Sequence, residues 1–457
     1  MGKALMLQGT MSDSGKSFIT AGICRYLSDK GYKVAPFKSQ NMASNCHITE
    51  DGLQLGRAQA LQAIASRCPI DARLNPILLK PKTNVGSEVI LEGRSQGFMS
   101  AREYFKIRKG FFPIVKKCFD SLVAENDFVI IEGAGSPAEI NLKKDDIVNM
   151  GIARMAKAPV LLIGDIDRGG VFASLYGTYE LLEEDEKNYV KGFVINKFRG
   201  DKSLLMPGID MFYRRIPVPT VGIMPYLDIT VDEEDSLSKK SLIRENADIE
   251  IAVIDFKGMK NFYDFLNFKE YDGLSLIYTE KPEDAENADL VIIPDFETAN
   301  FEKYKFKEEL AELIKRKPVI AINSGFNILN KEGLGLLNEK PLEEKEVPFK
   351  REGTVSAEKS SFWSFLNGQR ISGFCKNDAG FALKSFGNIL VSSVSGIFAN
   401  RNITELILEH ILEAKGLTLT ARHKDGEFLE GQLQILSEAV KENLDMDRIE
   451  RIIEEGI

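Results

Sequence analysis

At 457 residues the chain is too long for one hydrophobic core, so two or three domains are expected. Its 44% hydrophobic and 28% charged content is that of a soluble globular protein, and no apolar run approaches the ~20 residues of a membrane span. A net charge of −9 argues against nucleic acid or an anionic membrane as the main partner, so an anionic ligand needs a local basic pocket. The five cysteines (Cys24, Cys46, Cys68, Cys118, Cys375) form no C-x-x-C and only three histidines are present. That pattern speaks against a zinc site or a disulfide framework and for a reducing cytoplasm. The N-terminus enters a strand without a charged or apolar leader, so no secretory signal is expected.

The first strand, around Ala4–Leu7, runs into Gly9-Thr-Met-Ser-Asp-Ser-Gly-Lys-Ser17, and a helical pattern follows at once with Ile19, Ile23 and Leu27 on one face. Strand, glycine-rich loop and helix form the setting of a phosphate cradle, with loop N–H groups and the helix N-terminus facing the anion. Lys16 adds a full charge, and Ser17 places a hydroxyl for Mg²⁺. Five residues separate Gly9 from Gly15, one more than in the common P-loop spacing.

A second strand at Lys33–Phe37 leads into Lys38-Ser-Gln-Asn-Met-Ala-Ser-Asn45, an amide-rich segment where parallel α/β sheets bind ligands. A helical stretch, Gly56–Gln62, and the segment Leu74–Pro81 follow. Lys38, Gln40, Asn41, Asn45, Arg57, Gln59 and Lys80 are therefore candidates for a polar substrate wall, against the plainer reading of loop caps. Phe128–Ile131 reads as a buried strand ending in Glu132, the usual place for a second Mg²⁺-directing carboxylate. Asp145 and Asp146 add two acids, of which Asp146 reads less well as a solvated turn. Further strands at Pro159–Ile163, Gly192–Asn196 and Pro219–Ile223 complete a doubly wound parallel sheet, with Asn196-Lys197 as an adenine-side candidate.

A charge-rich stretch, residues 231–247, is read as a linker between a nucleotide-binding domain (1–230) and a second α/β series (248–418). The second series has strands at 250–254, 290–293, 318–322 and 389–391 and a closing helix near 403–414. Residues 419–457 form a helical tail whose stripe of Leu433, Leu436, Val440, Leu444, Ile449, Ile452 and Ile453 reads as packing.

Several ordered motifs together resemble the cobyric acid synthase family of cobalamin biosynthesis. They are Gln8-Gly-Thr-x-Ser-Asp-x-Gly-Lys-Ser17, Pro36-Phe-Lys-Ser-Gln-Asn-Met42, Gly56-Arg-Ala-Gln59, Asn75-Pro-x-Leu-Leu-Lys-Pro81 and Glu132-Gly-Ala-Gly-Ser-Pro-Ala-Glu-Ile-Asn-Leu142. Asp146-Ile-Val-Asn-Met150, Asp165-Ile-Asp-Arg-Gly-Gly-Val-Phe-Ala173, Ile195-Asn-Lys-Phe-Arg-Gly-Asp201 and the late Leu444-Asp-Met446 extend the set. The resemblance implies ATP-dependent amidation of propionate carboxylates of adenosylcobyrinic acid a,c-diamide through an acyl phosphate. ATP would then be held by Gly9, Thr10, Asp13, Gly15, Lys16, Ser17, Asn196 and Lys197, Mg²⁺ by Ser17 and Glu132, and Lys16, Glu132 and Asp146 would act in catalysis.

The resemblance also implies a class I glutaminase-like second domain, and there the sequence departs. Ala321-Ile-Asn-Ser-Gly-Phe-Asn327 aligns with the family's cysteine elbow and Ser395-Gly-Ile-Phe-Ala-Asn400 with its late histidine motif. Asn323 thus stands for the nucleophile and Ser395 for the base, and neither can do that chemistry. Ser324 has no histidine in register, and His410 and His423 read as surface residues. Nitrogen would then come from free ammonia or a separate glutaminase. Gln54 stands where the family carries Glu, one charge fewer near the metal. A non-catalytic corrinoid- or ATP-binding regulatory relative is the alternative; a partition-type ATPase would need a basic DNA-facing surface that the charge balance does not offer.

Overall fold

A computed structural model describes residues 2–457 apart from 44–45, 84, 228, 230–241, 244–245, 261, 332 and 420–426. The chain divides into two compact units, Met1–Ser236 with Glu427–Ile457, and Leu237–Gly426. Most of the stretch expected as a linker falls outside the described residues.

The first unit is built on β1 (Lys3–Gly9), β2 (Val34–Phe37), β3 (Phe128–Glu132), β4 (Val160–Asp165), β5 (Val190–Phe198) and β6 (Thr220–Pro225). They form one sheet in the order β6-β5-β4-β1-β3-β2, and every pairing is parallel. Near-continuous apolar runs such as Val160–Ile163 suit a sheet covered on both faces. Along β1 the alternation sends Met6 into one core and Leu5 and Leu7 into the other. After β3 the chain crosses to the far side of β1, so a crevice opens at the carboxyl ends of these strands. The register pairs Leu7 with Glu132, which sets the end of β3 beside the loop leaving β1.

Helix α1 (Lys16–Asp29) lays Ile19, Ile23 and Leu27 on the sheet. Its outer face is covered by the chain's own C-terminal segment, helix α2 (Glu427–Asn443), while α3 (Met446–Glu455) packs against β1. The stripe expected as packing does pack: Leu433, Leu436, Val440, Leu444, Ile449 and Ile453 are buried in the first unit. Residues 427–457 are thus an inner layer of the nucleotide-binding unit and not a separate tail. Two features set the fit. A Cβ on Gly22 would lie 2.5 Å from Val440 Cγ2, so the helices meet there without a side chain between them. Arg25, only 2% exposed, forks onto Glu430 and pairs with Asp29 at 3.1 Å.

A small sheet of Gln40–Met42, Ile77–Thr83, Gly86–Leu91 and Arg94–Ser100 begins just after the carboxyl end of β2, and none of its four strands is among those expected from the sequence. The second unit holds an eight-stranded sheet in the order Leu274–Thr279, Ile249–Ile254, Leu290–Ile293, Val319–Ile322, Ile389–Ser392, Leu383–Phe386, Glu344–Ser356, Arg370–Asn377. Its first five strands are parallel. Helix Arg401–Ala414 packs Ile403, Ile407, Leu408 and Ile411 on one face of this sheet.

Because Gly22 faces Val440 and Leu436 without slack, Gly22→Leu should overpack this seam and destabilise the protein by about 1–3 kcal/mol. A thermal melt checks this. An unchanged Tm would mean that α2 shifts freely and is not an integral layer.

Candidate active site

The loop from Thr10 to Ser14 hangs between β1 and α1. Gly15, at φ +88°, is the residue on which α1 begins, and a Cβ there would strike Asn196 Nδ2. No side chain caps the first turn of α1 and no acid lies in it, so its N–H groups face the loop's concavity. Lys16 is buried and donates from Nζ to Met11 O at 3.0 Å, folding back over the loop. Thr10 Oγ1 and Ser14 Oγ are buried without a hydrogen bond, two hydroxyls free to meet an anion's oxygens. Asp13, at φ +58°, is a bend whose carbonyl takes Lys197 Nζ at 2.6 Å. Asn196 Nδ2 donates to Ser14 O at 2.9 Å. The two residues expected beside adenine therefore brace the loop backbone, and Lys197 also pairs with buried Asp165 at the end of β4, 2.9 Å away.

Beside the loop, Glu132 gathers the strongest electrostatics of the site. It is 1% exposed; Oε1 accepts from Ser17 Oγ at 2.8 Å and Lys38 Nζ at 2.9 Å, and Oε2 from Gln62 Nε2 at 2.6 Å. Burial alone would raise this carboxyl, but the charge and hydrogen bond of Lys38, with the bonds from Gln62 and Ser17, hold it below the usual carboxylate range. The hydroxyl and carboxylate oxygens are hard donors that suit Mg²⁺. Among the described residues no cluster of three or more His, Cys, Asp or Glu side chains could hold a metal, so the other ligands of an ion there would be phosphate oxygens and water.

Next to the loop lies a cavity of about 550 Å³, lined by Ser12 of the loop, by Gln40, Leu79, Val89 and Met99 of the small sheet, by Tyr104, Phe105 and Arg108, and by Ser136, Asp146 and Asn149. Among the described residues of the expected substrate wall, only Gln40 reaches it; its Oε1 accepts from Tyr104 Oη. Lys38 sits on Glu132 instead. Asn41 and Gln59 are buried and bonded to each other at 3.1 Å. Lys80 is buried on Gln54 Oε1 at 3.1 Å and Cys46 Sγ at 3.4 Å. Gln54 thus serves a lysine through its side-chain oxygen. Arg57 is half-buried, and Asn45 lies outside the described residues. Asp146 accepts from the N–H groups of Val148, Asn149 and Gly151 at 2.8–3.0 Å, capping the helix Met150–Ala156; its carboxylate is occupied by backbone donors.

In the second unit the strand Val319–Ile322 turns sharply into Ser324–Asn327 through Asn323, at φ +48° and ψ −112°. This is the strained elbow of a nucleophile, built with an amide. Asn323 Nδ2 donates to Ser395 Oγ at 2.9 Å, and Asn377 Nδ2 donates to Asn323 Oδ1 at 3.2 Å. The two substituted positions do meet in space, joined by neutral hydrogen bonds. Ser324 Oγ is turned away, donating to Asp295 Oδ1 at 2.6 Å, and Cys375 is buried on Asn377. His410 is half-buried and stacked on Phe365 with ring centres 4.0 Å apart, more enclosed than a surface histidine; His423 lies outside the described residues.

Residues 5–238 match the CobQ/CobB/MinD/ParA nucleotide binding domain family. Over its full length the chain is 41% identical to the cobyric acid synthase of Ruminiclostridium cellulolyticum, spanning 98% of that protein. It is 38% identical to the one from Lachnoclostridium phytofermentans, with both chains covered completely, and 38% identical to the one from Thermoanaerobacter sp., with 99% of each covered. The chain belongs to the cobyric acid synthase family. In this member, three residues of the site carried no signal strong enough to single out. Gln62 lies three residues after Gln59 on a helix whose other buried residues are apolar (Ala58, Ala60, Leu61, Ala63, Ala65), which is the hint the sequence offers. Tyr104 and Arg108 come from a stretch outside every motif.

Glu132→Gln leaves Lys38 buried beside a neutral amide and should destabilise the protein by about 3–5 kcal/mol. Replacing both, Lys38→Met with Glu132→Gln, should restore most of that loss. The folded carboxyl is held low, so the wild-type contribution is complete above the ordinary Glu pKa of about 4.3 and is lost as pH falls below it. Urea melts of the three proteins at pH 7 and pH 4 check both statements; equal stability of single and double variants would show that the pair is not coupled.

Proposed function

We propose that this chain is a carbon–nitrogen ligase that uses ATP to amidate propionate carboxylates of a corrinoid, an adenosylcobyrinic acid a,c-diamide, in cobalamin biosynthesis. The observation that carries the reading is the meeting of Ser17, Lys38 and Gln62 on Glu132, beside a phosphate loop that also lines the large cavity. A nucleotide on the loop and a macrocycle in the cavity would bring a γ-phosphate and a carboxylate together.

The chemistry then follows from placement. Lys16 and the N–H groups of α1 hold the phosphates and draw off charge as it builds on the bridging oxygen. Mg²⁺, held by Ser17 and Glu132 when bound, would neutralise phosphate charge. Lys38 keeps Glu132 ionised and fixed for that task. A substrate carboxylate oxygen attacks the γ-phosphorus, the bond to ADP breaks, and an acyl phosphate results. Ammonia adds to the acyl carbon, phosphate leaves, and the nitrogen gives up a proton to yield the amide. Asp146, spent on capping, acts as a positioning residue for the loop that carries Ser136 and Asn149. The nitrogen source is free ammonia or a separate glutaminase, because Asn323 has no thiol and Ser395 no imidazole.

Lys16→Ala should abolish ATP-dependent amide formation while circular dichroism remains that of the wild type. Near-normal turnover in that variant would remove the phosphate-cradle assignment. A second expectation concerns nitrogen. With ATP, Mg²⁺ and the corrinoid diamide, ammonium should support amidation at rates that rise with pH, since only neutral NH₃ has a free lone pair, and glutamine alone should support none. Product formed from glutamine in ammonia-free buffer would overturn the lost-glutaminase reading, whereas nucleotide and corrinoid binding without product under any nitrogen source would point to a regulatory protein.

A further inference from the structure

Arg108 lies in the short turn Arg108–Phe111 after the helix Ala101–Ile107, in the wall of the large cavity, and is 8% exposed. Its Nη2 donates to Lys144 O at 2.9 Å and Leu142 O at 3.4 Å, and its plane sits over the Phe105 ring, 4.3 Å from the centre. Its Nε is buried without an acceptor, and no carboxylate pairs with it among the described residues. Such a charge in an apolar wall is costly unless something neutralises it.

The other charged groups around the cavity are already engaged or lie outward. Lys143 donates to Leu181 O at 2.7 Å and pairs with Glu186 at 3.1 Å. Asp146 is taken by three backbone donors, and Glu139 is exposed at the rim. Asp145, which follows Lys144, pairs with Lys109 at 2.7 Å. Arg108 is thus the cation of this wall that no carboxylate hydrogen-bonds among the described residues, although its charge is felt by the carboxyl of Asp145. Around it, Met42, Val85, Phe105 and Leu142 present large apolar surface at the mouth. An apolar body with a negatively charged edge matches both features.

We infer that Arg108 pairs with a free carboxylate on the edge of the substrate, so that the site prefers the acid to its amide product. This rests on reading the cavity as the corrinoid site. A charge-assisted hydrogen bond in a buried place is lost when the ligand's oxygen pair becomes a neutral amide, which cannot neutralise the guanidinium. Arginine suits this better than lysine because its planar donors match a carboxylate's two oxygens.

The experiment measures equilibrium binding of a cobyrinic acid diamide and of a corrinoid with every side chain amidated, to wild type, Arg108→Gln and Arg108→Lys, with Tm and ATP affinity recorded for each. Arg108→Gln should weaken binding of the acid by about tenfold or more, leave the amidated corrinoid within about twofold, and leave ATP binding unchanged. Arg108→Lys, which keeps the charge, should retain part of the preference and serves if the glutamine variant folds poorly. Equal weakening of both corrinoids, or weakening of neither, would reduce Arg108 to a prop for the loop at 142–144. If the wild type binds neither corrinoid while still binding ATP, the corrinoid reading fails and this inference falls with it.

Discussion

The buried pair of Lys38 and Glu132 is the constraint to which the rest of the first unit answers. A carboxylate at 1% exposure can stay ionised only with a counter-charge and full hydrogen bonding, and it receives three donors from three separate elements: Ser17 at the start of α1, Lys38 after β2 and Gln62 on the helix Arg57–Ala65. Meeting that demand fixes where the phosphate loop ends, where β2 releases the chain and how the helix is turned. The parallel register then brings the ends of β1 and β3 side by side. Loop, acid and cavity wall hold their geometry because one buried charge cannot be left alone.

The second unit shows the same economy in reverse. Its elbow keeps the strained backbone at Asn323, a conformation that normally persists where chemistry requires it. Here an amide and a hydroxyl satisfy one another, with Asn377 closing the network. Neutral hydrogen bonds of this kind hold the turn with no thiol at its tip.

Much of the fold was legible because parallel strands announce themselves as buried apolar runs, and all six strands of the first sheet fall on segments read that way. The small sheet was less visible. Arg94–Ser100 is largely exposed and polar, with a glycine at its middle, so neither period nor composition marks it as a strand. At the site, the loop and Glu132 could be read from spacing and strand ends. The polar wall could not: a sequence places Asn41, Gln59 and Lys80 near one another but does not say that they satisfy each other in the interior, leaving the cavity to Tyr104, Phe105 and Arg108. Asp146 misled for a related reason, since a capping aspartate and a ligating one look alike until their partners are known.

The return of residues 427–457 to the first unit has a consequence for biogenesis. Helix α1 carries Gly22 and Arg25 on a face that α2 covers, and α2 begins about 200 residues after the first unit's sheet ends at Pro225. At ordinary synthesis rates that interval is on the order of 10–40 s. During it the nascent nucleotide-binding unit carries an uncovered seam, with Arg25 lacking Glu430, while the intervening unit emerges and folds. A ribosome-bound chain stalled before residue 427 should therefore be a client for holdase chaperones, and the final helices the step that releases it.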